Sequence, residues 1–195
     1  MEAIEFYLWE GKVRYRIDGA ECILDQNKRE VIEFVLDTLR RFFPEALQAL
    51  SEECSDSAAN KYFYDFRRVD LFIRCNFAEH DTLNFDISQG VMHFEDVKCP
   101  RRGICKFEGI ICKPRFKMPV PNEEGRVAAL YSKGLTADEI ASVLRKSIKT
   151  VKNQLSSITK RLHLNRTRDL IKIFSVYNGF TLWEQKEKKV AYSGS

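Results

Sequence analysis

Gly134-Leu-Thr-Ala-Asp-Glu-Ile-Ala141 and then Ser147-Ile-Lys-Thr-Val-Lys-Asn-Gln-Leu-Ser-Ser-Ile-Thr-Lys-Arg-Leu162 decide the fold of the C-terminal third. In the second stretch Val151, Leu155, Ile158 and Leu162 recur at i, i+4, i+7 and i+11, a single apolar seam along a helix. At about 100° per residue, Lys149, Asn153, Ser156 and Lys160 point away from that seam, with Lys152 beside them. The outward face holds neither an acid nor a large apolar group. In the first stretch Gly134 ends a preceding helix as a C′ glycine. Thr136 and Glu139 stand at capping-box spacing, where hydroxyl and carboxylate satisfy orphan amides at a helix start. Ile140, Val143 and Leu144 are the expected inner face of that helix. A short turn at Arg145-Lys146 leads to Ser147, the N-cap of the next helix. Working outward, a helix over 122–133 turns Val127 and Leu130 inward. A fourth helix starts near Thr167 and carries Leu170, Ile171, Ile173 and Phe174.

Charge separates this region from the rest. Residues 1–112 carry 15 Lys/Arg against 21 Asp/Glu, a net of −6, while residues 113–195 carry 17 against 7, a net of +10. Between Glu139 and Asp169 there is no carboxylate, yet Arg145, Lys146, Lys149, Lys152, Lys160, Arg161, Arg166 and Arg168 all fall there. Two modules with the basic one facing a polyanion account for this split. A helix with basic and amide side chains outward suits phosphate anchoring and base-edge reading in a major groove.

The spacing of Gly134-Leu-Thr-Ala-Asp-Glu-Ile-Ala141, Leu144, Ser147, Thr150-Val-Lys152, Ile158, Lys160-Arg-Leu162 and Asn165-Arg-Thr-Arg-Asp-Leu170 resembles the LuxR/GerE-type helix-turn-helix over roughly 60 residues. Two positions depart from the family pattern. Val120-Pro-Asn-Glu-Glu124 stands where a Leu-Thr-x-Arg-Glu box is usual, and Gln154 where a His is common. The resemblance implies a four-helix domain whose second helix braces the backbone, whose third lies in the major groove, and whose fourth often mediates dimerisation. Carried over by position, Lys152, Asn153 and Ser156 are the base or groove candidates. Lys149, Thr150, Lys160 and Arg166 are the phosphate candidates. Asn153 is the leading base reader, because an amide pairs with adenine N6 and N7.

Outward of the linker Met118-Pro-Val-Pro-Asn122, residues 1–117 read as an α+β domain. A hairpin or bent strand runs around Gly11 with Ile4, Phe6, Leu8, Val13, Tyr15 and Ile17. Residues 27–43 are a helix with a broad apolar stripe, and Pro44 opens another through Leu50. The polar stretch 51–60 reads as a loop. Val69, Leu71, Ile73, Cys75 and Phe77 alternate with polar neighbours and predict a half-buried strand. Residues 83–87 and 91–97 flank Ser88-Gln-Gly90 as a second hairpin. Tyr62, Phe63, Tyr64 and Phe66 read as core. No internal repeat is seen, and residues 183–195 form a polar tail.

Within residues 99–114, Cys99-x5-Cys105-x6-Cys112 are candidate ligands for zinc, with His93 six residues before Cys99, or for an iron–sulfur cluster with Cys75 or Cys22 as its fourth donor. The plain alternative is three unrelated thiols in a tight loop. Arg101, Arg102 and Lys106 should lower thiol pKa values. No Gly-x-Ser-x-Gly elbow, phosphate loop or His-Glu-x-x-His occurs, and His80, His93 and His163 are scattered. Asp65, Asp70 and Asp86 fall on or near expected strands, but without the βα repeat of a receiver domain.

The expectation is an α+β N-terminal domain (1–117) followed by an all-α helix-turn-helix domain (118–182). The chain is then a cytoplasmic, non-enzymatic DNA-binding regulator, a homodimer on double-stranded DNA. Alternatives are a sigma-factor-like region 4 acting with RNA polymerase, or a metal-dependent N-terminal enzyme with a DNA-targeting tail. No apolar run of about 18 residues exists to span a membrane.

Overall fold

In the computed structural model, residues 3–79, 85–88, 91–117 and 120–177 are described, and the chain divides into two compact units, Met1–Lys117 and Met118–Ser195. The first opens with β1 (Ala3–Trp9) and β2 (Lys12–Ile17), paired antiparallel with Phe6 opposite Tyr15 and Leu8 opposite Val13. Their turn puts Glu10 at φ 49° and Gly11 at φ 74°, the two positive φ values of a primed hairpin turn. Asp18-Gly19 repeats the device, at 49° and 80°, and delivers β3 (Ala20–Ile23) back onto β2. That strand was not anticipated, although Asp-Gly between apolar runs is a strong hairpin signal.

On its other edge β1 pairs with β4 (Ile87–Ser88), which pairs with β5 (Val91–Met92). The sheet order is β3-β2-β1-β4-β5, antiparallel throughout. Gln89 and Gly90 of the expected second turn lie outside the described residues, as do residues 83 and 84. The buried Asp86 carboxylate accepts the Phe6 amide at 2.5 Å, so β1 is tied to a partner 80 residues on.

Three helices pack in this unit: α1 (Arg29–Phe42), α2 (Pro44–Glu53) and α3 (Lys61–Asn76). Val31, Ile32, Val35, Leu36, Leu39 and Phe42 form the buried stripe of α1, and Pro44 begins α2, where its missing amide hydrogen costs nothing. Fully buried Phe6, Phe43, Phe72 and Phe77 join sheet, helices and loop, with Phe94 stacked on Phe77 at 5.6 Å and edge-on to Phe43 at 5.3 Å. Burying each such ring contributes roughly 1.5–3 kcal/mol.

Three expectations fail here. Residues 69–77 belong to α3 and its C-cap, not to a strand. The buried set Asp65, Val69, Phe72, Ile73 and Asn76 follows i, i+4, i+7, i+8 and i+11, a helical stripe. Phe72, on the polar side of the strand reading, is wholly buried. The helix starts at Asn60, whose side chain accepts the Phe63 amide at 3.2 Å as an N-cap. Residues 51–60 are accordingly not all loop: α2 runs to Glu53 and a 3-10 turn spans Ser55–Ser57. Tyr62 and Phe63 are exposed rather than core. Tyr62 lies under the Arg29 guanidinium and Tyr64 under that of Arg68, and both arginines pair with the buried Asp65.

The described residues of the second unit form α4 (Asn122–Ser132), α5 (Ala137–Leu144), α6 (Ile148–Arg161) and α7 (Asp169–Tyr177). Val127, Ala128, Ile140, Val151, Leu155, Ile158, Leu162, Leu170, Ile173 and Phe174 are buried. Gly134 follows α4 at φ 90°, a value that only glycine adopts without strain. Val143 is the exception to the expected inner faces, being 60% exposed. Ile140, Ala141 and Leu144 centre the inward face of α5, and Val143 falls about 100° from that centre. Among the described residues no helix is long and apolar enough to cross a membrane.

Candidate nucleic-acid interface

The interface candidates are positioned by two caps and one turn. At the start of α5 the Glu139 carboxylate accepts the Thr136 amide at 2.7 Å and its hydroxyl at 2.8 Å, while the Glu139 amide donates to Thr136 Oγ1 at 3.3 Å. The Thr136 amide and then its hydroxyl hold the Glu139 carboxyl below the usual carboxylate range. Arg145 ends α5 in the left-handed region, φ 53° and ψ 45°, where a side chain carries strain that glycine avoids. Ser147 starts α6, its Oγ accepting the Thr150 amide at 3.0 Å and lying 2.8 Å from Thr150 Oγ1.

Along α6 the apolar seam is sunk into the unit. Val151 and Ile158 are fully buried, and Leu155 and Leu162 nearly so. On the opposite side Lys149, Thr150, Lys152, Asn153, Ser156 and Lys160 are exposed. Among the described residues no ion pair or side-chain hydrogen bond engages Lys149, Lys152, Asn153, Ser156 or Lys160. Arg166, beyond the helix, is exposed too, its backbone amide donating to the Asp169 carboxylate at 3.1 Å. The structure thus brings Lys149, Lys152, Asn153, Ser156 and Lys160 onto one helix face and sets Thr150 at its N-terminal edge, half-committed to the cap.

Other basic groups nearby are used internally, a division the sequence pattern did not reveal. Lys146 pairs with Glu123 at 2.9 Å and reaches Gln154 Oε1 at 3.3 Å, pinning the turn to α4 and α6 together. That ammonium holds the Glu123 carboxyl below its ordinary range. Glu124 accepts from Ser157 at 3.1 Å and lies 3.9 Å from Arg161. The two acids of α4 therefore pair with Lys146 and Arg161, while Lys149, Lys152 and Lys160 stay uncompensated among the described residues. Ile148, at 44% exposure, and Val143 add apolar surface beside the turn, which hydropathy spacing had placed inside or left unassigned.

The thiol segment lies in the other unit. Among the described residues no three His, Cys, Asp or Glu side chains stand at spacing that could hold a metal ion, Cys99, Cys105 and Cys112 included. The expected lowering of thiol pKa values fails at Cys112, where burial raises the value and Arg102 offsets it only in part. A cavity of about 510 Å³ in the same unit is lined by Glu79, Asp86, Glu95, Asp96 and His93. Its carboxylates are spent structurally: Asp86 on the Phe6 amide, Glu95 on that of Glu79, Glu79 on that of Lys98, and Asp96 on Lys113. Burial holds His93 below its ordinary pKa, and its Nε2 lies 3.0 Å from Ser88 Oγ. His163 is exposed, and His80 lies outside the described residues.

Comparison of the chain with protein-family models, with curated proteins and with solved structures gives no match in any of the three.

Proposed function

We propose that the chain is a sequence-specific DNA-binding transcription regulator of the LuxR/GerE kind, with α6 as the element that enters the major groove. The observation that carries this reading is the outward face of α6. Lys149, Lys152, Asn153, Ser156 and Lys160 project from one short helix into solvent, while Lys146 and Arg161 beside them pair with Glu123 and Glu124. A helix of this length with lysines and one carboxamide outward fits the groove, the lysines neutralising phosphate and the amide reading a base edge. Thr150 and Arg166 flank it as further phosphate partners. Binding is an equilibrium without bond making. A dimer on two half-sites would multiply affinity and selectivity together.

The test is fluorescence anisotropy of the full chain on a pool of genomic duplexes across a salt series. Tight binding that weakens with salt and survives competition by random DNA is the expected result. Binding that random DNA abolishes would remove the sequence-specific part of the reading. No binding at any salt concentration would remove the DNA function.

A further inference from the structure

The sequence Cys99-Pro-Arg-Arg-Gly-Ile104 followed by Cys105-Lys-Phe-Glu-Gly-Ile110 is a six-residue repeat, contrary to the expectation that the chain has none. The structure shows the same turn twice. The Arg102 amide donates to the Cys99 carbonyl at 3.1 Å and the Glu108 amide to the Cys105 carbonyl at 3.1 Å. Each turn is followed by a glycine of positive φ, Gly103 at 84° and Gly109 at 75°. The two are tied together by Glu108, whose carboxylate accepts the Gly103 amide at 2.7 Å. Cys112 comes next, its amide donating to the Phe107 carbonyl at 3.2 Å.

A fourth thiol is delivered from far off in sequence by a buried clamp. Asn76, wholly buried at the end of α3, donates to the Ile111 carbonyl at 2.9 Å and accepts the Lys113 amide at 2.8 Å. Those two bonds bracket Cys112 and draw it against Cys75, the residue before Asn76. Cys112 Sγ lies 3.5 Å from the Cys75 carbonyl oxygen. The second turn also closes on this thiol, the Gly109 amide donating to the Cys112 carbonyl at 2.9 Å. Cys22, the other conceivable donor, sits on β3 opposite Tyr15.

We propose that Cys75, Cys99, Cys105 and Cys112 form a four-thiolate zinc site that closes when the metal binds. In the structure Cys75 and Cys112 adjoin, and Cys99 and Cys105 open the two turns that Glu108 ties together, but the four do not form a coordination sphere. Zinc in structural sites takes four thiolate or imidazole ligands in a tetrahedron, and metal binding and local folding are then one equilibrium. Each thiol gives up its proton on ligation, so the closed centre has a charge of −2. Arg101, Arg102 and Lys106 in the same segment supply positive charge to compensate it. Oxygen donors are absent from the set, which disfavours calcium or magnesium.

The experiment measures metal by mass spectrometry in the full chain purified without chelator, and then titrates cobalt(II) into metal-free protein. About one zinc per chain is expected, with the visible bands of tetrahedral cobalt thiolate. Cys75→Ser should drop the zinc below about a fifth of an equivalent while Cys22→Ser leaves it unchanged. Zinc below about 0.2 per chain in the unaltered protein, with no cobalt bands on titration, overturns the site. Full zinc in Cys75→Ser overturns the fourth ligand, and iron with acid-labile sulfide overturns the choice of metal. The cobalt spectrum of the unaltered chain keeps the test decisive if Cys75→Ser does not fold.

Discussion

Asn153 and Lys152 are exposed side chains on a helix whose stability comes from its other face. Removing them should leave folding alone and remove recognition. Lys152→Ala with Asn153→Ala is expected to abolish selective DNA binding, with each lost base pairing costing about 1–3 kcal/mol of discrimination, while the melting temperature stays unchanged. A large fall in melting temperature would mean that the pair is structural. Thr136 is the opposite case, since it caps α5 and faces no ligand. Thr136→Ala should cost about 1 kcal/mol in urea unfolding. The acid limb follows from the same contacts. Glu139 and Glu123 have folded pKa values below their ordinary ones. Their contribution is therefore complete above the ordinary carboxylate range and is lost as pH falls through it, because the unfolded chain takes up protons first. The melting temperature should decline below about pH 5, and a rise on acidification would contradict the assignment. These caps and the α6 seam were legible because each is set by residues within one or two turns. The Lys146–Glu123 pair was not, because 23 positions separate its partners and only the packing of α4 brings them together.

Element by element, α3 shows how a sequence pattern misleads. Val69-Asp-Leu-Phe-Ile-Arg-Cys-Asn-Phe77 alternates in hydropathy, yet it also satisfies a helical stripe, and the strand reading had to set Phe72 on the polar side to hold. Residues beyond the window decide between the two. The Asn60 cap stands nine positions upstream of Val69, and the Asp70–Arg74 pair inside the window closes at i, i+4 only once the segment is a helix. At the other end of α3, Asn76 makes three side-chain hydrogen bonds in a fully buried position. Asn76→Ala leaves the Ile111 carbonyl and the Lys113 amide without their partner. About 2–3 kcal/mol of stability should disappear, read as a lower urea midpoint at constant slope. A loss below about 0.5 kcal/mol would show that water replaces the clamp.

Across the whole molecule, charge is partitioned between the two units, and the salt response should come from the second. Replacing Lys149, Lys152, Lys160 or Arg166 by Ala should each lower the slope of log K against log salt by about one. Lys98→Ala, in the acidic unit, should leave the slope as it was. The partition was visible in the sequence as net charge, and the helical unit followed from it and from local periodicity. The sheet was only half visible, because β1 draws its second neighbour from residues 87 and 88, with three helices in between. That pairing has a consequence for synthesis. A chain leaving the ribosome exposes β1 first, and β2 and β3 can pair with it at once. Its other edge, with the Phe6 amide unmet, must wait while some 80 further residues emerge, several seconds at about 5–20 residues per second. During that interval the nascent chain presents a naked strand edge to its neighbours on the polysome, so stalled or truncated products ending before Asp86 are the species most prone to aggregate.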